Sequence, residues 1–175
     1  MSVLIEAVSL VVPRSLLYFR YPGGIDGFIA ELSRPSAENR HVCSDDHLMS
    51  VSFFTRDAAG RTASVLTTAG MLESRHGAFA DFAIIDQNVG PLLECPWIEW
   101  TREPAGHSCA WLATADRGKL AVPDGWTPGQ SRRLSRANTN ALQADTFKLS
   151  EENGVETWLD LRTGRIGSRQ KSRSF

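Results

Sequence analysis

The chain has 175 residues, 42% of them hydrophobic and 22% charged, and a formal net charge of −1. This is the composition of a soluble globular protein, since no apolar run reaches the roughly 18 residues of a membrane span. The three cysteines are too few and too scattered for a disulfide framework. The odd cysteine count, and an N-terminus without the cationic start of a secretion signal, predict a cytoplasmic protein.

The first part of the chain predicts a strand followed by a helix. The segment LIEAVSLVVP, residues 4–13, is almost continuously apolar, which is typical of a central strand covered on both faces. Apolar residues then recur at helical spacing between Ile25 and Leu32. We expect this helix to end before Pro35, because the residue before a proline disfavours the helical conformation.

A second strand and helix follow, and then a third strand. The segment LMSVSFF, residues 48–54, predicts the strand. Thr55 has the residue type of a helix N-cap, and Gly70 that of the residue after a helix C-terminus, so a helix is predicted between them. The segment DFAIIDQ, residues 81–87, predicts the third strand.

Strands dominate the remainder of the chain. Three further strands are predicted in residues 95–102, 107–114 and 119–123. Residues 123–145 are turn-rich and long for a loop, and we expect packing of Trp126 to order part of them. Asn153 and Gly154 lie between two strand-like runs, which predicts a hairpin.

The order of these elements predicts an α+β fold. The chain reads β-α-β-α-β, followed by several strands and a C-terminal hairpin. We expect a single domain over residues 1–165, with a mixed or mostly antiparallel sheet and two main helices on one face. Residues 166–175 are expected to form a flexible basic tail.

The stretch HVCSDDH, residues 41–47, gathers residue types that carry chemistry. One hypothesis is a small hydrolase or thiol-dependent enzyme in which Cys43 is the nucleophile, with His47 or His107 as its base. Asp45 and Asp46 could belong to the same site. Their negative charge, however, disfavours the thiolate that such an enzyme needs.

A second hypothesis is a metal site. Cys43 and His47 would supply one pair of ligands, and His107 and Cys109 the other, if the fold brought the pairs together. This spacing departs from the recurring zinc patterns. The third hypothesis, which we favour, is a turn in which serine and aspartate side chains bind backbone amides before the strand that starts near residue 48.

The aromatic residues suggest binding rather than chemistry. The sequence contains no phosphate-loop, dinucleotide, nucleophile-elbow or zinc-protease motif, and no cofactor is predicted. Tryptophan is enriched in interfaces, and four tryptophans are candidates for an interaction surface or pocket: Trp97, Trp100, Trp111 and Trp126. A weak contribution to nucleic-acid binding is expected only from four residues near the C-terminus: Arg165, Arg169, Lys171 and Arg173.

Several segments together resemble a family of small bacterial cytoplasmic proteins to which no activity is attached. They are YPGG, CSDDHL, DFAIIDQ, CPWIEW and KLAVPDGW, and the resemblance covers roughly residues 3–165. It implies a single domain and brings no catalytic residue, cofactor or substrate. We therefore expect a non-catalytic binding or protein-interaction protein, with itself or another protein as partner and without a membrane.

Overall fold

The N-terminal apolar segment forms two strands rather than the predicted one. The computed structural model describes residues 1–33, 41–132, 146–152, 155–160 and 166–170, the last three ranges as backbone. Strand β1 spans Ser2–Ile5 and strand β2 spans Val8–Pro13. Between them Ala7 adopts a positive φ of 46°, which is uncommon for a residue other than glycine. This bend sends β1 and β2 into different sheets.

Strands β2 to β6 form a five-stranded antiparallel sheet. Its order is β3-β4-β2-β5-β6. Besides β2, it contains β3 (His41–Ser44), β4 (Leu48–Phe53), β5 (Ala83–Asp86) and β6 (Gly90–Pro91). The central strand predicted over residues 4–13 is confirmed for its second half, because β2 is paired on both edges.

Strand β1 belongs to a four-stranded mixed sheet of order β7-β8-β1-β9. The other strands are β7 (Ile98–Arg102), β8 (Ser108–Leu112) and β9 (Leu120–Ala121). Strand β1 is antiparallel to β8 and parallel to β9. The α+β class is therefore confirmed, while the strands are divided between sheets instead of forming one.

Three α-helices are described, and all contribute to one face of the five-stranded sheet. They are α1 (Arg14–Arg20), α2 (Gly24–Leu32) and α3 (Arg56–Thr68). Helices α2 and α3 were predicted, and the Thr55 cap is confirmed because its hydroxyl accepts from the Ala58 amide at 3.1 Å. Helix α1 was not predicted, since seven residues are too few to show a periodic pattern.

Two apolar cores lie on the two faces of the five-stranded sheet. The helix-side core joins Val8, Leu10 and Val12 of β2 to buried residues of the helices. The sheet-side core joins Val11 to residues of the four-stranded sheet. The layers are therefore helices, five-stranded sheet and four-stranded sheet, which explains why almost every residue of β2 had to be apolar.

The C-terminal strands form a separate three-stranded antiparallel sheet. It contains β10 (Thr146–Glu152), β11 (Val155–Asp160) and β12 (Ile166–Gln170). Glu152 pairs with Val155, which leaves the two-residue connection expected of the predicted hairpin, although the connection itself lies outside the described residues. Strand β12 occupies half of the predicted flexible tail, because it pairs with β11; residues 171–175 lie outside the described part.

Candidate functional site

A buried carboxylate marks the point where the chain passes from the four-stranded to the five-stranded sheet. Glu6 is 1% exposed and precedes the unusual bend at Ala7. Gln87 holds the bend through two hydrogen bonds. Its side-chain oxygen accepts from the backbone amide of Ala7 at 2.9 Å, and its backbone amide donates to the Ala7 carbonyl at 2.8 Å. The Ser9 hydroxyl accepts from the Glu6 amide at 3.1 Å. The local backbone thus fixes the direction of the Glu6 side chain.

Each oxygen of the Glu6 carboxylate has a partner from a distant part of the chain. Oε1 accepts from Trp126 Nε1 at 2.9 Å and from the Ser131 hydroxyl at 2.6 Å. Oε2 lies 3.0 Å from Nδ1 of His41. A buried carboxylate is costly unless hydrogen-bonded, so these partners are what make its position stable. We call Glu6, His41, Trp126 and Ser131, together with Gln87, the polar clasp.

Gln87 extends the polar clasp to the connection between β7 and β8. Its Nε2 donates to the Ser131 carbonyl at 3.0 Å and to the Gly106 carbonyl at 3.3 Å. Gly106 has φ +88°, and a Cβ there would lie 2.4 Å from Cγ of Arg132. The segment from Trp126 to Arg132 is therefore fixed against three separate parts of the fold, which agrees with the expectation that Trp126 orders part of residues 123–145; residues 133–145 lie outside the described part of the chain.

The chemistry available to the polar clasp is limited. A carboxylate that binds Nδ1 orients an imidazole for proton transfer, and the His41 side chain is 47% exposed. In the described part of the chain, no serine or cysteine is hydrogen-bonded to His41. Among the described residues, His41 therefore has the orienting carboxylate but no contact with a nucleophile.

Cys43 is a protonated, buried thiol. It is 6% exposed and its Sγ–H donates to the Ala121 carbonyl at 2.7 Å. Burial, together with the negative charges of Asp45 and Glu6, raises its pKa to about 11 against the opposing effect of a hydrogen bond to the Leu4 backbone. Burial also raises the pKa of Cys95 to about 11 and that of Cys109 above its usual value. A thiolate nucleophile is therefore not favoured at neutral pH.

The residues after Cys43 form the tight connection between β3 and β4. Asp45 Oδ1 accepts from the amides of His47 and Leu48, both at 2.7 Å, which is an Asx turn. Arg14 anchors the turn, because its guanidinium donates to the Asp45 carbonyl at 2.7 Å. The side chains of Asp46 and His47 are exposed. This geometry supports the turn hypothesis for the HVCSDDH stretch.

The proposed metal ligands do not come together. Among the described residues, no group of three or more His, Cys, Asp or Glu side chains is placed to hold a metal ion. His107 packs against the Trp126 ring, with centroids 5.4 Å apart and planes at 82°, and burial lowers its pKa. Cys109 is fully buried, while His47 lies on the exposed turn.

The four tryptophans proposed for an interaction surface are mainly packing residues. Trp97, Trp100 and Trp126 are half-buried against the sheet-side core. Trp111 lies beside the Arg117 guanidinium, which is 5.5 Å from its ring centroid in a cation–π arrangement. None of them is among the large hydrophobic side chains that the described surface exposes.

Among the side chains that the structure describes, the most exposed aromatic residues lie on α1 and on a short 3-10 segment, Ser74–Phe79. Tyr18 is 68% exposed, Phe19 is 80% exposed and Phe79 is 78% exposed. The ion pair between Arg20 and Asp81 joins the two stretches that carry these rings. We call Tyr18, Phe19 and Phe79 the aromatic patch.

Helix α1, which carries Tyr18 and Phe19 of the aromatic patch, is packed into the helix-side core. Leu17, beside them on α1, is fully buried in the helix-side core. Tyr21 follows α1 and packs edge-on against Phe28 of α2, with ring centroids 5.3 Å apart. The rings of Tyr18 and Phe19 are perpendicular, with centroids 5.0 Å apart. Leu17 and Tyr21 thus anchor α1, the helix that presents Tyr18 and Phe19 to solvent, against the helix-side core.

Sequence reasoning missed both the polar clasp and the aromatic patch. Glu6 was visible as the one charged residue within the apolar N-terminal run, and such a residue signals either a bend or a buried polar network. His41 stood at the start of the HVCSDDH stretch. Tyr18 and Phe19 gave no pattern that distinguishes an exposed aromatic residue from a core residue.

Comparison with known proteins does not place this chain in a family. No protein-family model, no curated protein and no solved structure matches this chain. The resemblance to a family of small bacterial proteins stays a prediction. In the described part of the chain, no helix is long and apolar enough to cross a membrane.

Proposed function

We propose that the protein is a non-catalytic protein-interaction protein that binds its partner through the aromatic patch. The observation that carries this proposal is the exposure of Phe19, 80% in a helix whose neighbouring Leu17 is fully buried. Scattered exposed leucines or valines are ordinary, but three strongly exposed aromatic rings in adjoining segments are a feature of interaction sites. Phenylalanine and tyrosine are also enriched in the cores of interfaces.

The state of the reactive groups supports the same proposal. Cys43 is held as a buried thiol, and Asp45 serves the turn that joins two strands. The carboxylate of Glu6 has partners on both oxygens. Enzyme and metal-binding hypotheses built on Cys43, Asp45, Asp46 and His47 find less support than interaction, because these groups are either structurally engaged or isolated at the surface.

A cleft beside α3 is a weaker candidate for a binding site than the aromatic patch. It has a volume of about 420 Å³ and lies between α3 and the Ser74–Phe79 segment. Three hydroxyls that line it donate to backbone carbonyls of their own helix, namely those of Ser64, Thr67 and Thr68. Binding clefts usually present polar groups that converge on a ligand, whereas these hydroxyls are already engaged.

The proposal is tested with a patch variant and a matched control. The patch variant carries Phe19→Ser and Phe79→Ser. The control carries Val89→Ser and Val122→Ser, which remove apolar side chains that are 60% and 41% exposed elsewhere. Each tagged protein is used for affinity capture from a lysate of the source cell. The captured protein is identified and purified, and its dissociation constant is measured by calorimetry.

We expect the control to bind like the original chain and the patch variant to bind at least about 30-fold more weakly, the loss typical of one hot-spot residue. Circular dichroism checks that both variants fold. Equal affinity of the patch variant would refute the patch as the binding surface. Capture of no partner, together with turnover of a substrate that depends on Cys43, would favour the enzyme hypothesis.

A further inference from the structure

We propose that residues 126–132, which we call the strap, form an acid-sensitive closure over His107. The polar clasp holds the strap down at neutral pH, and the strap lifts when His107 takes up a proton. This device is independent of the aromatic patch, because none of its residues lies on α1 or on the Ser74–Phe79 segment.

The described hydrogen bonds from the strap to the rest of the fold end on two side chains. Trp126 Nε1 and the Ser131 hydroxyl both donate to Oε1 of Glu6, at 2.9 and 2.6 Å. The Ser131 carbonyl accepts from Gln87 Nε2 at 3.0 Å. These bonds do not belong to the strand ladders of either sheet. The strap can therefore lift as a local opening while both sheets keep their backbone hydrogen bonds.

His107 lies against the strap in a position that suits only its neutral form. Its ring meets the Trp126 ring at a centroid distance of 5.4 Å and an angle of 82°. Its Nδ1 is buried and has no hydrogen-bond partner among the described residues. A protonated imidazole carries an N–H on both ring nitrogens, so the buried Nδ1 would become an unmatched donor with a share of the positive charge. Lifting Trp126 admits water to the imidazole and removes this cost.

The charges around His107 do not offset that cost. Burial lowers the pKa of His107, Glu103 opposes this effect and Arg117 adds to it. The Glu103 carboxylate forms an ion pair with the Arg117 guanidinium, so its negative charge is already matched. From the strap itself comes another cation, Arg132, whose side-chain stem lies over Gly106.

The second histidine near the strap acts in the opposite sense. His41 Nδ1 lies 3.0 Å from Oε2 of Glu6. A protonated His41 would face a carboxylate and would strengthen the polar clasp. Protonation of His107 is therefore the event that opposes closure.

The direction of the pH dependence follows from linkage. Closure favours the neutral imidazole, so it is fully stabilised above the ordinary histidine pKa of about 6.5. As the pH falls from there, the open state takes up the proton first. The opening constant then rises about tenfold for the first pH unit, until the covered imidazole titrates as well.

The experiment measures solvent exchange of the Trp126 indole N–H by NMR, from about pH 7.5 to about pH 5.5. Dividing the rate by that of free tryptophan at the same pH gives the opening constant. The resonance is identified by its absence in Trp126→Phe. The constant should rise about tenfold between about pH 6.5 and about pH 5.5. The buried indole N–H groups of Trp97 and Trp100 are the internal reference and should show no such rise.

Three histidine variants locate the titrating group, and circular dichroism checks that each one folds. His107→Phe keeps a ring beneath Trp126 and should make the opening constant independent of pH. His41→Gln should keep the rise. The matched control is His76→Gln, at an exposed position on the 3-10 segment, and should behave like the original chain.

A reciprocal measurement does not depend on the folding of His107→Phe. Because linkage acts in both directions, Trp126→Ala should raise the pKa of His107, followed by the NMR shift of its ring protons. An unchanged His107 pKa would overturn the proposal. So would a flat or falling opening constant in the original chain, a rise that persists in His107→Phe, or an equal rise at Trp97 and Trp100, which would indicate acid unfolding of the whole domain.

Discussion

Replacement of Glu6 by alanine tests whether the polar clasp stabilises the fold. The substitution removes an acceptor from Trp126 and Ser131 and the partner of His41, at a position that is 1% exposed. Hydrogen bonds to a charged group contribute about 1.5–3 kcal/mol each. Trp126 Nε1 also donates to the Ser131 hydroxyl at 2.9 Å, so these two groups partly satisfy each other afterwards.

The expected loss in the free energy of unfolding is therefore about 3–5 kcal/mol, the range for breaking a buried charged network. For a chain of this size it corresponds to a fall in Tm of about 10 °C. Urea unfolding, followed by tryptophan fluorescence and circular dichroism, measures it. Glu99→Ala, on the exposed side of β7, is the control and should change stability by less than about 0.5 kcal/mol. A loss below about 1 kcal/mol for Glu6→Ala would refute the reasoning.

Three further predictions concern single positions. Asp45→Ala should cost about 1–2 kcal/mol, because it removes the acceptor of two backbone amides, whereas its exposed neighbour Asp46→Ala should cost almost nothing; urea unfolding compares them. Gly60→Ala, inside α3 with nothing within 4 Å of the new Cβ, should raise Tm through a gain of about 0.5–1 kcal/mol, and a lowered Tm would contradict the open space around it. Since burial raises the pKa of Cys43 and Cys95 from 9.0 to about 11, their stabilisation is complete below pH 9 and is lost as pH rises to about 11. A variant with alanine at both cysteines should lose less stability over that interval, and an identical alkaline decline would oppose the assignment.

The elements that could be predicted from the sequence are those whose residue types follow directly from burial or from helix capping. Strand β2 was recognisable because both its faces are buried, and α3 because Thr55 caps its start. The split at Glu6 and Ala7 was not recognisable, since a positive φ at alanine has no signal in the sequence. It is held by Gln87, which lies 80 residues from Ala7 along the chain.

The site was harder to predict than the fold, for a related reason. The Asx turn at Asp45 depends on residues two and three positions away, and it was among the stated hypotheses. The partners of Glu6 lie 35, 120 and 125 positions away, at His41, Trp126 and Ser131. Spacing along the chain carries no information about such contacts. The exposure of Phe19 likewise depends on how α1 packs against the helix-side core, which spacing along the chain does not reveal.

The position of β1 has a consequence for the order in which the molecule is assembled during synthesis. Both strand partners of β1 come late, since Leu4 pairs with Cys109 and Ser2 with Leu120. The helices and the core of the five-stranded sheet need no residue beyond Pro91, so this part can form while β1 is still unpaired. Closing a loop of more than 100 residues is slow, and the first strand made is therefore among the last to be placed. Until residue 126 has left the ribosome, the Glu6 carboxylate lacks two of its three partners. A nascent chain halted before residue 108 leaves β1 without either strand partner and so exposes an apolar strand that a chaperone can hold.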